Sequence, residues 1–247
     1  MRYLVLSDIH ANLQALEAVL AGSSAEGYDR VIVLGDLVGY GGDPDAVVER
    51  VRALDPVVIV RGNHDKVASG LEDSSGFNAI ARRAAIWTRE SLSPENRQYL
   101  AALPAGPLTL NDAVLVCHGS PEDEDLYIFN DRDALRALRE ASRPLCLFGH
   151  THLPIVVRLV DGTLELVARA TQPETTVELG AGVKHLINPG SVGQPRDGDP
   201  RAAFAILDLG NQSIVLYRIA YAVEDAQARI LQAGLPASLA HRLAVGR

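Results

Sequence analysis

Two histidines separated by one residue follow the apolar run CLF, Cys146–Phe148, and Gly149: they are His150 and His152. Residues i and i+2 of an extended chain point to one face, so this spacing predicts that both imidazoles reach a common point. Asp8 and His10 repeat the spacing after the apolar run RYLVL. Three further apolar runs end in similar chemistry: RVIVLGD with Asp36, PVVIVRGNHD with Asn63, His64 and Asp65, and AVLVCHGS with His118. Five of the seven histidines lie at these ends, and His185 and His241 fall outside them. Carboxylates, imidazoles and an amide oxygen that met in one crevice would form a mixed oxygen and nitrogen donor set for divalent metal. A lone Asp or His after a strand is ordinarily a cap or a turn former. All five together, each after an apolar run, argue for one assembled site.

Strands and helices must place these residues. RYLVLS, RVIVLGD and PVVIVRGNHD read as buried strands. Between them lie two helical patterns: ANLQALEAVLAG, with Leu13, Leu16, Val19 and Leu20 on one face, and PDAVVERVRAL, with Pro44 near its start. The β-α-β-α-β order predicts a largely parallel, covered sheet with right-handed crossovers. Ligands of such sheets bind beyond the carboxyl ends of the strands, where the candidate residues stand. FNAIARRAAIWTRE and PENRQYLAAL read as two more helices. The second half is richer in strands: LTLNDAVLVCHGS as a hairpin, PLCLFGHTHLPIVVRLVDG, LELVARA, HLINPGS, and AAFAILDLGNQSIVLYRIA with a turn at DLGNQ. A helical stretch follows at the C-terminus. Two sheets packed together with helices outside accommodate this order.

The chain has 247 residues, 47% of them hydrophobic, and its length suits one domain spanning 1–247. The start, MRYLVLSD, is too short in apolar residues for a signal peptide, and no run approaches the ~20 apolar residues of a membrane helix. Cys117 and Cys146 both sit in apolar runs, which predicts core thiols and a cytoplasmic location. A formal net charge of −8 argues against a general nucleic-acid binder. It leaves a phosphate substrate open, because a metal supplies local positive charge. The G-x-x-x-x-G-K-[ST] phosphate loop and the G-x-S-x-G nucleophile elbow are both absent.

The motifs DIH, GD, GNHD, CHG and GHTH, in this order over residues 4–155, resemble the signature of the calcineurin-like metallophosphoesterase superfamily. The stretch INPGSVGQPRDGDPRAAFAI extends the resemblance toward its small bacterial phosphodiesterase-like branch. The resemblance implies an α/β fold, a four-layer α/β/β/α sandwich of two mixed sheets. Helical insertions near 67–110 and 120–143 would shape the site, ahead of a C-terminal helical tail at 221–247. It implies two divalent transition-metal ions (Mn, Fe, Zn, Co or Ni, with Mn favoured for activity). Asp8, His10, Asp36 and His152 would hold one, and Asp36, Asn63, His118 and His150 the other. A hydroxide bridging the two would attack phosphorus, and His64 would contact the phosphate and protonate the leaving oxygen. A small phosphate ester is the implied substrate and inorganic phosphate the product or inhibitor; neither membrane nor nucleic acid is an expected partner, and the oligomeric state stays open.

Other positions carry weaker expectations. Asn12 and Gly119 would line the mouth of the site with Asn63 and His64 as substrate contacts. Asp65 either orients His64 or serves a turn. The loop Asn188–Ser191 either closes a wall or is a tight turn, and Arg196 either holds a second phosphate or pairs with Asp197. The stretch GDLVGYGGDP lacks the arginine that follows G-D in protein phosphatases and dinucleoside-tetraphosphate hydrolases, and places Tyr40 where it could stack on a base or aryl group. Three functions remain open: a phosphodiesterase, a phosphomonoesterase acting on a nucleotide or small metabolite, and a non-catalytic metal-binding scaffold.

Overall fold

Apolar runs bounded by turn residues become the strands of the computed structural model, which describes residues 1–247. The first part runs β1 (Arg2–Leu6), α1 (Leu13–Glu26), β2 (Arg30–Val33), α2 (Pro44–Ala53), β3 (Val58–Ile59) and α3 (Asn63–Ser69). It continues with α4 (Ala79–Ser91), α5 (Pro94–Ala102), β4 (Leu108–Thr109), β5 (Val114–Val116), α6 (Asp131–Glu140) and β6 (Leu145–Leu147). The remainder is β7 (Ile155–Val160), β8 (Thr163–Arg169), β9 (Glu174–Glu178), β10 (Lys184–Asn188), β11 (Ala202–Asp208), β12 (Ser213–Ile219), α7 (Val223–Gln232) and α8 (Ala237–Leu243).

The strands form two mixed six-stranded sheets, ordered β3-β2-β1-β11-β12-β9 and β4-β5-β6-β10-β7-β8. β1, β2 and β3 pair in parallel, as their helical crossovers require, and β5, β6 and β10 do so in the second sheet. Tyr3, Val5, Ile32 and Leu34 face Val116, Leu147, Val156 and Ile187 in an apolar layer between the sheets. The alternate side chains Leu4, Leu6, Val31 and Val33 pack outward with residues of α1, α2 and α5. On the far side Leu115, Cys146, Phe148 and Leu186 pack with Ala134, Ala137 and Leu138 of α6. The result is a four-layer α/β/β/α sandwich. Period-two side-chain alternation explains it, since each strand has an inward and an outward apolar face. α4, α7 and α8 form a separate cluster with Tyr40.

Two elements differ from the sequence expectation. The strand read over PVVIVRGNHD is only two residues long, as β3, and NHD at its end opens α3. Asp65 caps α3 by accepting the Gly62 N–H at 2.9 Å, a polar signal that a turn shares. β9 lies where the sequence showed no strand pattern, because its polar alternation suits a sheet edge paired on one side only. No helix is long and apolar enough to cross a membrane.

Candidate metal centre

β1, β2, β3, β5 and β6 end at one edge of the sandwich, and the residues just beyond them meet there. Pairing continues past the strands: the Asp8 N–H donates to the Gly35 carbonyl at 3.1 Å and the His10 N–H to the Asp36 carbonyl at 3.0 Å. The two sheets are joined at this edge by the His150 N–H, which donates to both carboxylate oxygens of Asp8 at 3.1 Å. Gly62 is required by close approach, because a Cβ there would collide with the carboxylate and backbone of Asp36.

The predicted i, i+2 geometry does not hold. Asp8, His10, Asp36, His150 and His152 all have left-handed backbone, with φ of 52°, 50°, 53°, 63° and 60°. Seven of the ten non-glycine residues with positive φ lie at this edge, Ala11 and Tyr40 completing the set. Such conformations cost energy and cluster where function imposes them. His150 and His152 are therefore splayed. His150 Nδ1 lies 3.1 Å from His118 Nε2, whereas His152 Nε2 lies 3.1 Å from His10 Nε2.

Two sets of ligand atoms result, each with its atoms within 4.8 Å of one another: Asp8, His10, Asp36 and His152, and Asp36, His118 and His150. Asp36 belongs to both; its Oδ2 lies 3.6 Å from His10 Nε2 and 3.5 Å from His118 Nε2. Asn63 joins the second set, with Oδ1 3.3 Å from His118 Nε2. All seven side chains named at the sequence level as ligands are thus brought together, Asn63 at the start of α3.

Backbone carbonyls orient the imidazoles. Nδ1 of His10, His118 and His152 faces the carbonyls of Val38 at 3.1 Å, Leu34 at 2.7 Å and Gln194 at 2.6 Å. His150 is reversed, with Nε2 at 3.1 Å from the Asp125 carbonyl. A ring nitrogen facing a carbonyl must donate, so in a neutral imidazole the opposite nitrogen is left with its lone pair. Burial holds His10 and His152 neutral, well below the ordinary imidazole range. Their facing Nε2 atoms are then two lone pairs at 3.1 Å with no proton between them, an arrangement a cation stabilises. The donor set of imidazole nitrogens, carboxylates and one amide oxygen fits a divalent transition metal.

The charges tell the same story. Burial raises Asp8 to about 7. Burial opposes the charge on Asp36, but the imidazoles of His118 and His64 hold its carboxyl well below the usual range. Burial likewise opposes protonation of His118, yet Asp36 beside it pushes that imidazole up to about 10. The second set thus retains a proton as counter-charge, a role a metal ion takes over on binding.

His64 sits beside the ligands but not among them. Its N–H donates to Asp36 Oδ1 at 2.9 Å, and its ring lies 4.3 Å from Tyr40 and 4.6 Å from Phe77 between centroids. Burial lowers it to about 4, and its Nδ1 has no hydrogen-bond partner. Asp65 does not orient it: both carboxylate oxygens are taken, by the backbone N–H groups of Gly62 and Val38. Asn12 caps α1 and donates to the Gly193 carbonyl at 2.9 Å, and Gly119 packs under the backbone of Glu124 and Leu126. Asn188 and Ser191 support the ligand loops, Asn188 donating to the Gly149 carbonyl and Ser191 to that of Asp8. His185 lies in β10 with its Nδ1 near the Val183 carbonyl, and His241 lies in α8.

Sequence reasoning missed Tyr127, Phe77 and Lys66. Tyr127 stacks on His150 at 3.7 Å and, with Phe77 and Tyr40, lines the pocket above Asp36, Asn63 and His152. Buried Lys66 of α3 pairs with Asp125 at 2.5 Å and Glu72 at 2.9 Å, pinning the segment whose carbonyl holds His150. No local pattern announces these contacts. Replacing Lys66 with Met is expected to weaken metal binding about 10–100-fold, the usual cost of losing an outer-shell support. Competition with a metal-sensitive chelating dye checks this; an unchanged affinity would show that the loop holds His150 unaided.

The sandwich and its shared-ligand cluster define a metallophosphoesterase. The sequence profile of the calcineurin-like phosphoesterase superfamily domain matches residues 1–212, and the chain belongs to that family of phosphoric ester hydrolases. It is similar to a metallophosphoesterase from Sphaerobacter thermophilus, at 42% identity and a TM-score of 0.87, with 100% of this chain and 99% of that one covered. It is 35% identical over 248 residues to protein MJ0912 of Methanocaldococcus jannaschii, covering 98% of this chain and 97% of that protein. Phosphodiesterase YfcE of Escherichia coli K12 is 25% identical over 232 residues, covering 87% of this chain and 96% of the relative.

Proposed function

We propose that this chain is a phosphodiesterase acting on a small phosphate ester with two divalent transition-metal ions, manganese being the active one. The observation that carries the two-ion reading is Asp36, the one side chain common to both ligand sets. Asp8, His10, Asp36 and His152 would hold one ion, and Asp36, Asn63, His118 and His150 the other. Bound ions supply positive charge for the phosphoryl oxygens and acidify a water enough to attack phosphorus in line. The chain's own residues do the rest. Asn63 and His64 are placed by the first turn of α3, so the ligand and the proposed acid share one rigid support. Tyr40 and Phe77 flank His64 and exclude water from it. His64 protonates the leaving oxygen, so that a diester and one water give an alcohol and a phosphate monoester. The diester preference leans on the likeness to YfcE. Two free, buried thiols suit a cytoplasmic setting.

The test uses metal-stripped protein with Mn²⁺, Ni²⁺, Co²⁺, Zn²⁺ and Mg²⁺ restored singly. Hydrolysis of bis-p-nitrophenyl phosphate is expected to depend on added metal and to exceed that of p-nitrophenyl phosphate. A faster monoester would replace this reading with a phosphomonoesterase. Silence on both esters with every metal would leave the scaffold.

A further inference from the structure

Arg196 enters the same pocket from the loop between β10 and β11, beside Asp36, Asn63, His64 and Tyr127. That loop is held firmly: the Gln194 carbonyl accepts from His152 and Ser191 donates to the Asp8 carbonyl at 2.7 Å. The chain has 31 acidic residues against 23 basic ones, yet none neutralises this guanidinium. Its neighbour Asp197 is taken by Arg218, and Asp199 by Arg201 at 2.6 Å. Its partners are neutral: Gln194 Oε1 accepts from it at 3.0 Å, the phenol groups of Tyr40 and Tyr127 lie within its reach, and its buried Nε has no partner. The expectation that Arg196 pairs with Asp197 is thereby excluded.

The guanidinium carbon lies 5.7 Å from the centroid of Tyr40, whose ring in turn lies 4.8 Å from His10 and 4.3 Å from His64. Arg242 of α8 approaches the same ring at 6.0 Å. Arg196 therefore stands next to the ligand cluster as a planar fork of donors with no carboxylate to neutralise it. Such forks match phosphate oxygens in pairs. Metal ligands and His64 already serve the phosphoryl group that reacts.

We propose that Arg196 forms a second phosphoryl-binding position beside the metal centre, and that the substrates carry a phosphoryl group in addition to the one cleaved. This rests on the phosphoesterase reading of the site and narrows it to phosphate esters that carry a second phosphoryl group.

The manganese-loaded chain is titrated calorimetrically with orthophosphate and with pyrophosphate, and bound metal is assayed after each titration to exclude chelation. Pyrophosphate is expected to bind on the order of tenfold more tightly, as one charge-assisted bidentate contact allows. Arg196→Gln abolishes that preference while orthophosphate affinity stays within about threefold, and Arg196→Lys, which keeps charge but loses the fork, retains part of it. A preference that survives in Arg196→Gln overturns the proposal. So does an equal loss for both anions, which would assign Arg196 to the reacting phosphoryl group. Thermal melts of both variants verify folding. Wild-type turnover of bis-p-nitrophenyl phosphate and p-nitrophenyl phosphate is followed in parallel: silence on both with every metal removes the phosphoesterase reading, whereas the affinity ratio alone decides the subsite.

Discussion

Replacing Asp36 with Asn is expected to reduce turnover by more than about 10³-fold, beyond the 10²–10³ that a single transition-state donor is worth. The reason is geometric. One carboxylate oxygen stands 3.6 Å from His10 and 3.5 Å from His118, so it serves both ligand sets. Asn is nearly isosteric but neutral, and its amide presents one acceptor in place of two. Its loss also removes the charge that pushes His118 up to about 10. The variant should therefore bind fewer than two metal equivalents, read by elemental analysis after dialysis, and should show a lowered His118 pKa by NMR. Full metal content with near-normal turnover would sink the shared-ligand assignment. The N–H of His64 donates to the same residue, so a modest shift of α3 is expected too.

His64→Asn separates binding from proton transfer. The expected loss is about 10²–10⁴-fold in kcat, the range for a positioned general acid. Metal content should stay at the wild-type level, because His64 is not among the atoms that converge on either ligand set. The loss should be smallest for p-nitrophenyl esters, whose leaving group hardly needs a proton, and largest for phenyl or alkyl esters. A loss independent of the leaving group would assign His64 to phosphate binding alone. Burial lowers His64 to about 4, so at neutral pH the free protein carries it uncharged. A bound anionic phosphoryl group favours its protonated form. The acid must be protonated to act, so the ratio of wild-type to variant rate should fall as pH rises through the His64 pKa of the complex.

The two variants also mark what local pattern conveys and what it does not. Asp8, His10, Asp36, His118 and the GHTH histidines were legible because each follows an apolar run, and strand ends in parallel sheets gather at one edge. The GHTH pair does not converge as an extended chain would make it. His150 and His152 serve different ligand sets because their backbones are left-handed, with φ of 63° and 60°. No periodicity in a sequence encodes that choice. GNHD, read at the end of a strand, opens α3 because Asp65 capping Gly62 and Asp36 accepting the His64 backbone N–H stabilise a helix start together. The second of those contacts joins residues 28 positions apart.

Residue chemistry and spacing by themselves gave the β-α-β-α-β order of the first half and the strand-end residues that carry the chemistry, because hydrophobic alternation and donor type are local properties, while the four-layer fold and the ligand sets came from the family resemblance of the motifs. Tertiary structure alone decided the backbone that splays His150 from His152, which ring nitrogen each imidazole presents, and which charges go unpaired. Carbonyls of Leu34, Val38, Asp125 and Gln194, none adjacent in sequence to the imidazole it orients, make the second choice. The third turns on Asp197 reaching Arg218 instead of its neighbour Arg196. Such pairings depend on which surfaces the fold brings within hydrogen-bond reach, and that information is not local in the chain.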